Sequence, residues 1–149
     1  MARLVDLSKK PYNLNPNQIE WVESTIKSMT DEEKVGQLFT NLFFFGGDAF
    51  SGNNLSNKEI LEKYHIGGVR YMNGSPEDVQ GLINDLQSQT KIPLLVAANC
   101  DSGGDGAVKG GTYISSGAQS EASRDTWVPY HAGLVSAREE TALGVNVNF

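Results

Sequence analysis

Several features that mark particular protein classes are scarce in this sequence. It has a single cysteine, Cys100, so no internal disulfide forms, and its two histidines, His65 and His131, leave no Cys/His cluster at zinc spacing. Neither a metal site nor a cofactor is expected. Lys and Arg number 12 against 18 Asp and Glu, for a net charge of −6, and the basic residues are nowhere clustered. The electrostatic footprint of a nucleic-acid binder is missing. No run approaches the roughly 20 apolar residues that cross a bilayer, and the opening stretch, MARLVDLSKKPYNLN, lacks the apolar centre of a signal peptide. The expectation is a cytoplasmic protein with neither a nucleic-acid nor a membrane partner.

What is present suits one domain with a buried core: 149 residues, 39% hydrophobic and 20% charged. Asn15 followed by Pro16 predicts a helix to about Met29, with Ile19, Val22, Ile26 and Met29 at helical spacing. Thr30 and Glu33 have capping-box spacing and predict a short helical turn before the apolar stretch Val35–Phe45, which should hold the first strand. Gly46–Asn54 is rich in turn formers and reads as an exposed loop. Ser56 and Glu59 open another helix, which His65-Ile66-Gly67-Gly68 ends before a short strand at Val69–Met72. Ser75 and Pro76 cap a helix whose Val79, Leu82, Ile83 and Leu86 form one apolar stripe facing a core.

Ile92–Ala98 is apolar without alternation and reads as a strand buried on both faces, as in a parallel sheet. Gly103–Ser123 is polar and rich in small residues, and is predicted to be a long loop over one face of the sheet. Asp125 then caps a helix from about Thr126 to Leu143, with Gly144 in the left-handed position, and Val145–Phe149 reads as a last strand. The alternation of strand and helix predicts an α/β fold with about four parallel strands and intervening helices. Two architectures satisfy it: a small open sheet with helices on both faces, or the first half of an eightfold (β/α) TIM barrel.

Candidate chemistry concentrates where the third strand ends, in Asn99-Cys100-Asp101-Ser102-Gly103-Gly104-Asp105-Gly106. An EF-hand calcium loop counted from Asp101 would need a carboxylate where Thr112 stands. A dinucleotide fingerprint meets Lys109 at its third glycine, and no Gly-Lys-Ser/Thr exists, which leaves an open-sheet phosphate binder as a weak option. The remaining reading is a sugar or polyol site in which Asn99 and Asp101 bind hydroxyls, and its competitor is a self-bonded Asx turn. By alternation Cys100 points the other way, as a small buried hydrophobe with no evident base beside it. His65 reads as a helix-end cap and His131 as a packing or surface residue. Phe43, Phe44 and Phe45 read as core before sugar platform, and Glu139 and Glu140 as a solvated helix face. No pair of catalytic carboxylates stands out.

Four segments in order carry a family resemblance: Met29–Phe39 (MTDEEKVGQLF), His65–Val69 (HIGGV), Ile92–Gly104, and Ala137-Arg138-Glu139 through Ala142-Leu143-Gly144-Val145-Asn146. Over about residues 25–149 the chain resembles the N-terminal domain of glycoside hydrolase family 3, most of all its β-N-acetylhexosaminidase-like subgroup. The resemblance implies a (β/α)₈ barrel and retaining hydrolysis of β-glycosides through a covalent glycosyl-enzyme intermediate. The family's aspartate nucleophile, on a later strand, and its acid/base histidine, in a loop after the fourth strand, have no counterpart in this sequence. In the family the segment after the third strand reads Asp-x-Glu-Gly-Gly, its first aspartate binding the sugar. Here Asn99 stands for that aspartate and Asp101 for the glutamate, so a charged acceptor becomes one that can also donate.

These implications make residues 1–149 a partial barrel domain, truncated to its first half. Its parent would be a β-N-acetylhexosaminidase or β-glucosidase acting on a β-linked glycoside or amino sugar, and the chain alone would be inactive. The competing expectation is a non-catalytic half-barrel module for sugar binding or assembly, pairing with itself as a homo-dimer or with a complementary half.

Overall fold

Helix starts follow the capping residues. In a computed structural model that describes residues 5–43 and 55–149, Asn15 and Gln18 bond reciprocally at the head of α1 (Pro16–Ser28). Thr30 and Glu33 do the same for α2 (Asp31–Gly36), and Ser56 and Glu59 for α3 (Asn57–Tyr64). Each box satisfies two backbone N–H groups that a helix start leaves without intrahelical partners. Ser75 accepts from Asp78 N to open α4 (Pro76–Ser88). The loop expected at Gly46–Asn54, together with Phe44 and Phe45, lies outside the described residues.

Four short strands form one parallel sheet: β1 (Thr40–Phe43), β2 (Gly68–Tyr71), β3 (Leu95–Ala98) and β4 (Val147–Asn148). Their spatial order is β1-β2-β3-β4, the order of the chain. A doubly wound sheet reverses direction at a switch point, whereas a barrel adds each strand beside the one before it. The sequential order therefore decides between the two expected architectures in favour of the half-barrel.

The core lies on one side of this sheet. Phe43, Val69, Tyr71, Val96 and Ala98 pack against Ile60 and Leu61 of α3 and the expected stripe of α4, Val79, Leu82, Ile83 and Leu86, all of it buried. Phe43 is thus a core residue. The opposite face carries Thr40, Leu42, Arg70 and Leu95, and Leu95 is 56% exposed. The third strand is buried on its core face, while on the other face Ala97 is buried and Leu95 is not. The stripe of α1 is only partly covered: Ile19, Val22 and Met29 are half-buried, and Ile26 is 53% exposed.

Two more elements follow β3. The segment expected as a continuous loop contains a 3₁₀ turn at Gly104–Gly106 and a helix, α5 (Gly117–Ser123), opened by a Ser116–Gln119 capping box. The long helix α6 (Trp127–Leu143) starts where Asp125 Oδ1 accepts from Trp127 N (2.9 Å) and ends at Gly144, whose φ of 90° is left-handed. Asn146 then continues the pairing with its side chain, accepting from Val96 N at 2.8 Å.

Two of the sequence segments singled out above interlock. Gly67 N donates to Gly36 O, and Gln37 Nε2 donates to His65 O at 2.8 Å. A Cβ on Gly67 would sit 2.3 Å from the Gln37 carbonyl oxygen, so only glycine allows the end of α2 to approach the turn into β2. At Gly81, within α4, an added Cβ meets nothing within 4 Å. Gly67→Ala is expected to destabilise the fold by about 1–3 kcal/mol through overpacking. Gly81→Ala should stabilise it by about 0.5–1 kcal/mol, because alanine loses less backbone freedom in a helix. Urea unfolding of both variants checks the pair, and shifts of the same sign would contradict the packing described.

Candidate functional site

Parallel strands bring all their C-terminal ends to one edge, where ligands of α/β folds bind. At that edge the chain after β3 turns through Gly103 (φ 87°), folds over the 3₁₀ turn and returns so that Ile114 N donates to Ser102 O (2.9 Å). The loop is gripped from the β2 side. Tyr71 Oη donates to Ala107 O (3.0 Å), Asn73 Nδ2 to Asp105 O (2.9 Å), and Lys109 N to Gly74 O (2.8 Å). Ala107 and Val108 are buried beneath it.

Asp101 is exposed and lines a cavity of about 890 Å³ between the strand tips, the returning loop, α5 and the first half of α6. Ser115, Ser120, Ser136 and Asn148 share the wall, which makes it rich in hydroxyl and amide groups. Asn99 is also exposed, but it does not line this cavity; its carbonyl oxygen packs against Gly106, where an added Cβ would lie 1.8 Å away. The structure thus places both predicted residues at the β3 tip without gathering their side chains on one wall. An apolar cavity of about 690 Å³ lies beside α2, α3 and the start of β1, toward the N-terminal ends of the strands and away from this edge.

Sequence reasoning misplaced Glu140. It is 4% exposed, not solvated, and its carboxylate accepts from Ser136 Oγ and from Asn148 Nδ2 (2.8 and 2.9 Å). Glu139 is also engaged, accepting from Thr112 N (2.8 Å) and Thr112 Oγ1 (2.5 Å). Cys100 is buried as expected, yet it does have a base beside it. Burial, then the hydrogen bond to Glu140 and the charges of Glu140 and Asp101, push the thiol up to about 12. It therefore stays protonated at neutral pH and is no nucleophile. Burial also raises Tyr71, with Cys100 and Glu140 adding to the effect.

The histidines serve structure. His65 closes α3 in a left-handed conformation (φ 50°), its N–H donating to Leu61 O, and His131 stacks on Trp127 with ring centroids 4.0 Å apart. Among the described residues no group of three or more His, Cys, Asp and Glu could hold a metal ion. Among the described residues no helix is long and apolar enough to cross a membrane.

Fold and site together define an α/β half-barrel with a polar pocket at its C-terminal edge. The chain is 30% identical over 146 residues to the β-N-acetylglucosaminidase/β-glucosidase of Cellulomonas fimi, a match covering 98% of this chain and 25% of that protein. It is also similar to two solved structures of the β-glucoside phosphorylase BglX. The one bound to 2FGlc matches at 34% identity and a TM-score of 0.83, over 96% of this chain and 25% of the other; the second matches at 34% and 0.79, over 94% and 23%. The chain spans about a quarter of the length of the curated relative it matches. No protein-family model matches it.

The raised thiol has a measurable consequence. Above the ordinary cysteine value of 9.0 the unfolded thiol ionises, while the folded one holds its proton to about 12, so stability falls as pH rises through that window. Urea unfolding across this range should show the decline, and Cys100→Ala should flatten it, leaving the part due to Tyr71. An unchanged slope in the variant would show that the thiol is not shielded as described.

Proposed function

We propose that this chain is the first half of a glycoside hydrolase family 3 barrel domain and that its β3 loop forms part of a subsite for a β-linked glucoside or N-acetylglucosaminide. One observation carries the reading: similarity to β-glycoside-acting proteins runs through almost the whole chain, at a TM-score of 0.83 for the structural match. The loop's position at the C-terminal edge and the hydroxyl-rich wall beside Asp101 support it. In this reading Asp101 accepts hydrogen bonds from sugar hydroxyls, while Asn99 both accepts and donates.

Bond cleavage belongs to groups outside this sequence. Among the described residues the pocket offers Asp101, Glu121 and Asp125 as acids, but no histidine lines it. A retaining mechanism needs a nucleophile and an acid/base group flanking the scissile bond. The chain therefore contributes sugar binding, and a facing half supplies the chemistry, whether the acceptor is water or, as the name of the solved phosphorylase suggests for that protein, phosphate. The open face of the sheet is where that half would close the barrel.

Titration of the 149-residue chain with methyl β-glucoside and methyl N-acetyl-β-glucosaminide, followed by amide NMR, tests the subsite. Shifts should centre on residues 99–106, and Asp101→Ala should weaken binding about ten-fold or more, as expected on losing a hydrogen bond to a charged group. A chromogenic β-glycoside should not be cleaved. Shifts confined to the α2–α3 cavity, or turnover by the chain alone, would refute the assignment.

A further inference from the structure

We infer that Glu139 and Glu140 are paired positioning residues that clamp the β3 loop from the α6 side and so set the place of Asp101; the inference rests on reading that loop as a sugar subsite. Neighbours on a helix point about 100° apart, and these two act on different parts of one loop. Glu140 holds the β4 tip through Asn148, and the neighbouring Phe149 carbonyl accepts from Cys100 N (2.9 Å) at the loop's root, next to Asp101. Glu139 holds the returning limb through Thr112. Gly104 packs so closely on Glu139 that an added Cβ would lie 1.8 Å from Oε2.

The placement is costly for stability alone, which is why it points to a role in geometry. Both carboxylates lie in the last two turns of α6, where the helix dipole disfavours negative charge. Glu140 is also withdrawn from water, and neither residue forms an ion pair with Lys or Arg among the described residues. Their hydrogen-bond partners among the described residues are neutral donors from the loop, the β4 tip and α6 itself. A well-packed apolar residue at position 140 would serve stability as well or better. An apolar residue could not orient Asn148 and Ser136, because only an acceptor engages both donors at once.

The test uses the whole chain with Glu139→Gln and Glu140→Gln, three readouts and one control. Glu139→Gln should speed amide exchange of Thr112 by about ten- to a hundred-fold, the value of a charge-assisted hydrogen bond, while amides of β2 and β3 keep their rates. Glu140→Gln should speed alkylation of Cys100 by iodoacetamide by a similar factor, again without change in the sheet. Both should weaken methyl β-glucoside binding. Equal acceleration of loop and sheet would reduce the carboxylates to general stabilisers and overturn the inference. So would an unmoved loop, or undiminished sugar binding by a loosened one. Should Glu140→Gln fail to fold, Ser136→Ala removes one donor and keeps the carboxylate, and a smaller rise in Cys100 alkylation is expected; no rise overturns the clamp. If the wild-type chain binds no β-glucoside, the subsite reading fails, while exchange and alkylation still decide the clamp.

Discussion

Parallel pairing of very short strands is the constraint from which the rest of this structure follows. β1, β2 and β3 have four residues each and β4 has two, so the ladder itself contributes few hydrogen bonds and every strand must be returned by a crossover. Pairing them in chain order puts α3 to α6 between successive strands and every strand tip at one edge. A sheet this small cannot hold a long loop over that edge by its own ladder, so the loop after β3 must be fastened by side chains. Tyr71 and Asn73 fasten it from one side and α6 from the other. The hydroxyl-rich pocket beside Asp101 is the space left between these fastenings.

Most elements were legible because their signals are local. A capping box requires two residues three apart, and those at Thr30 and Ser56 could be read directly and are present with both bonds made. The stripe of α4 could be read because its apolar residues share one face, and all four are buried. The same logic explains one omission: Ser116 and Gln119 have the spacing that opens α5, but the surrounding run of small polar residues masked it as loop. Gly36 and Gly67 show the other limit, since the need for two glycines is visible only once the two backbones meet.

Glu140 was beyond local reading for a different reason. The first half of α6, WVPYHAGLVSA, carries apolar residues around its circumference, so helical phase alone does not say which face turns inward. Two adjacent glutamates on such a helix look solvated by composition. Their partners outside α6 stand 27 residues away at Thr112 and 8 away at Asn148, joined by the fold and not by any sequence period. Residues that act through distant donors are therefore the ones a single sequence conceals, whereas the candidates Asn99 and Asp101 were visible because a strand end announces itself.

The face of the sheet turned away from the helices supplies the last step. The run Leu94-Leu95-Val96-Ala97-Ala98 does not alternate, and residues are patterned this way where both faces of a strand are covered. In this structure Leu95 is half-exposed, while on the same face Arg70 keeps a buried Nε without a hydrogen-bond partner among the described residues. An apolar residue left in water and a buried guanidinium Nε lacking an acceptor are opposite faults, and a free surface would be expected to correct both. In the reading proposed above, a second layer of side chains facing this sheet, apolar against Leu95 and offering an oxygen to Arg70, would correct both. The inner face thus bears on the proposed barrel independently of the β3 loop, because it poses its question through burial and hydrogen bonding and not through any sugar-binding residue.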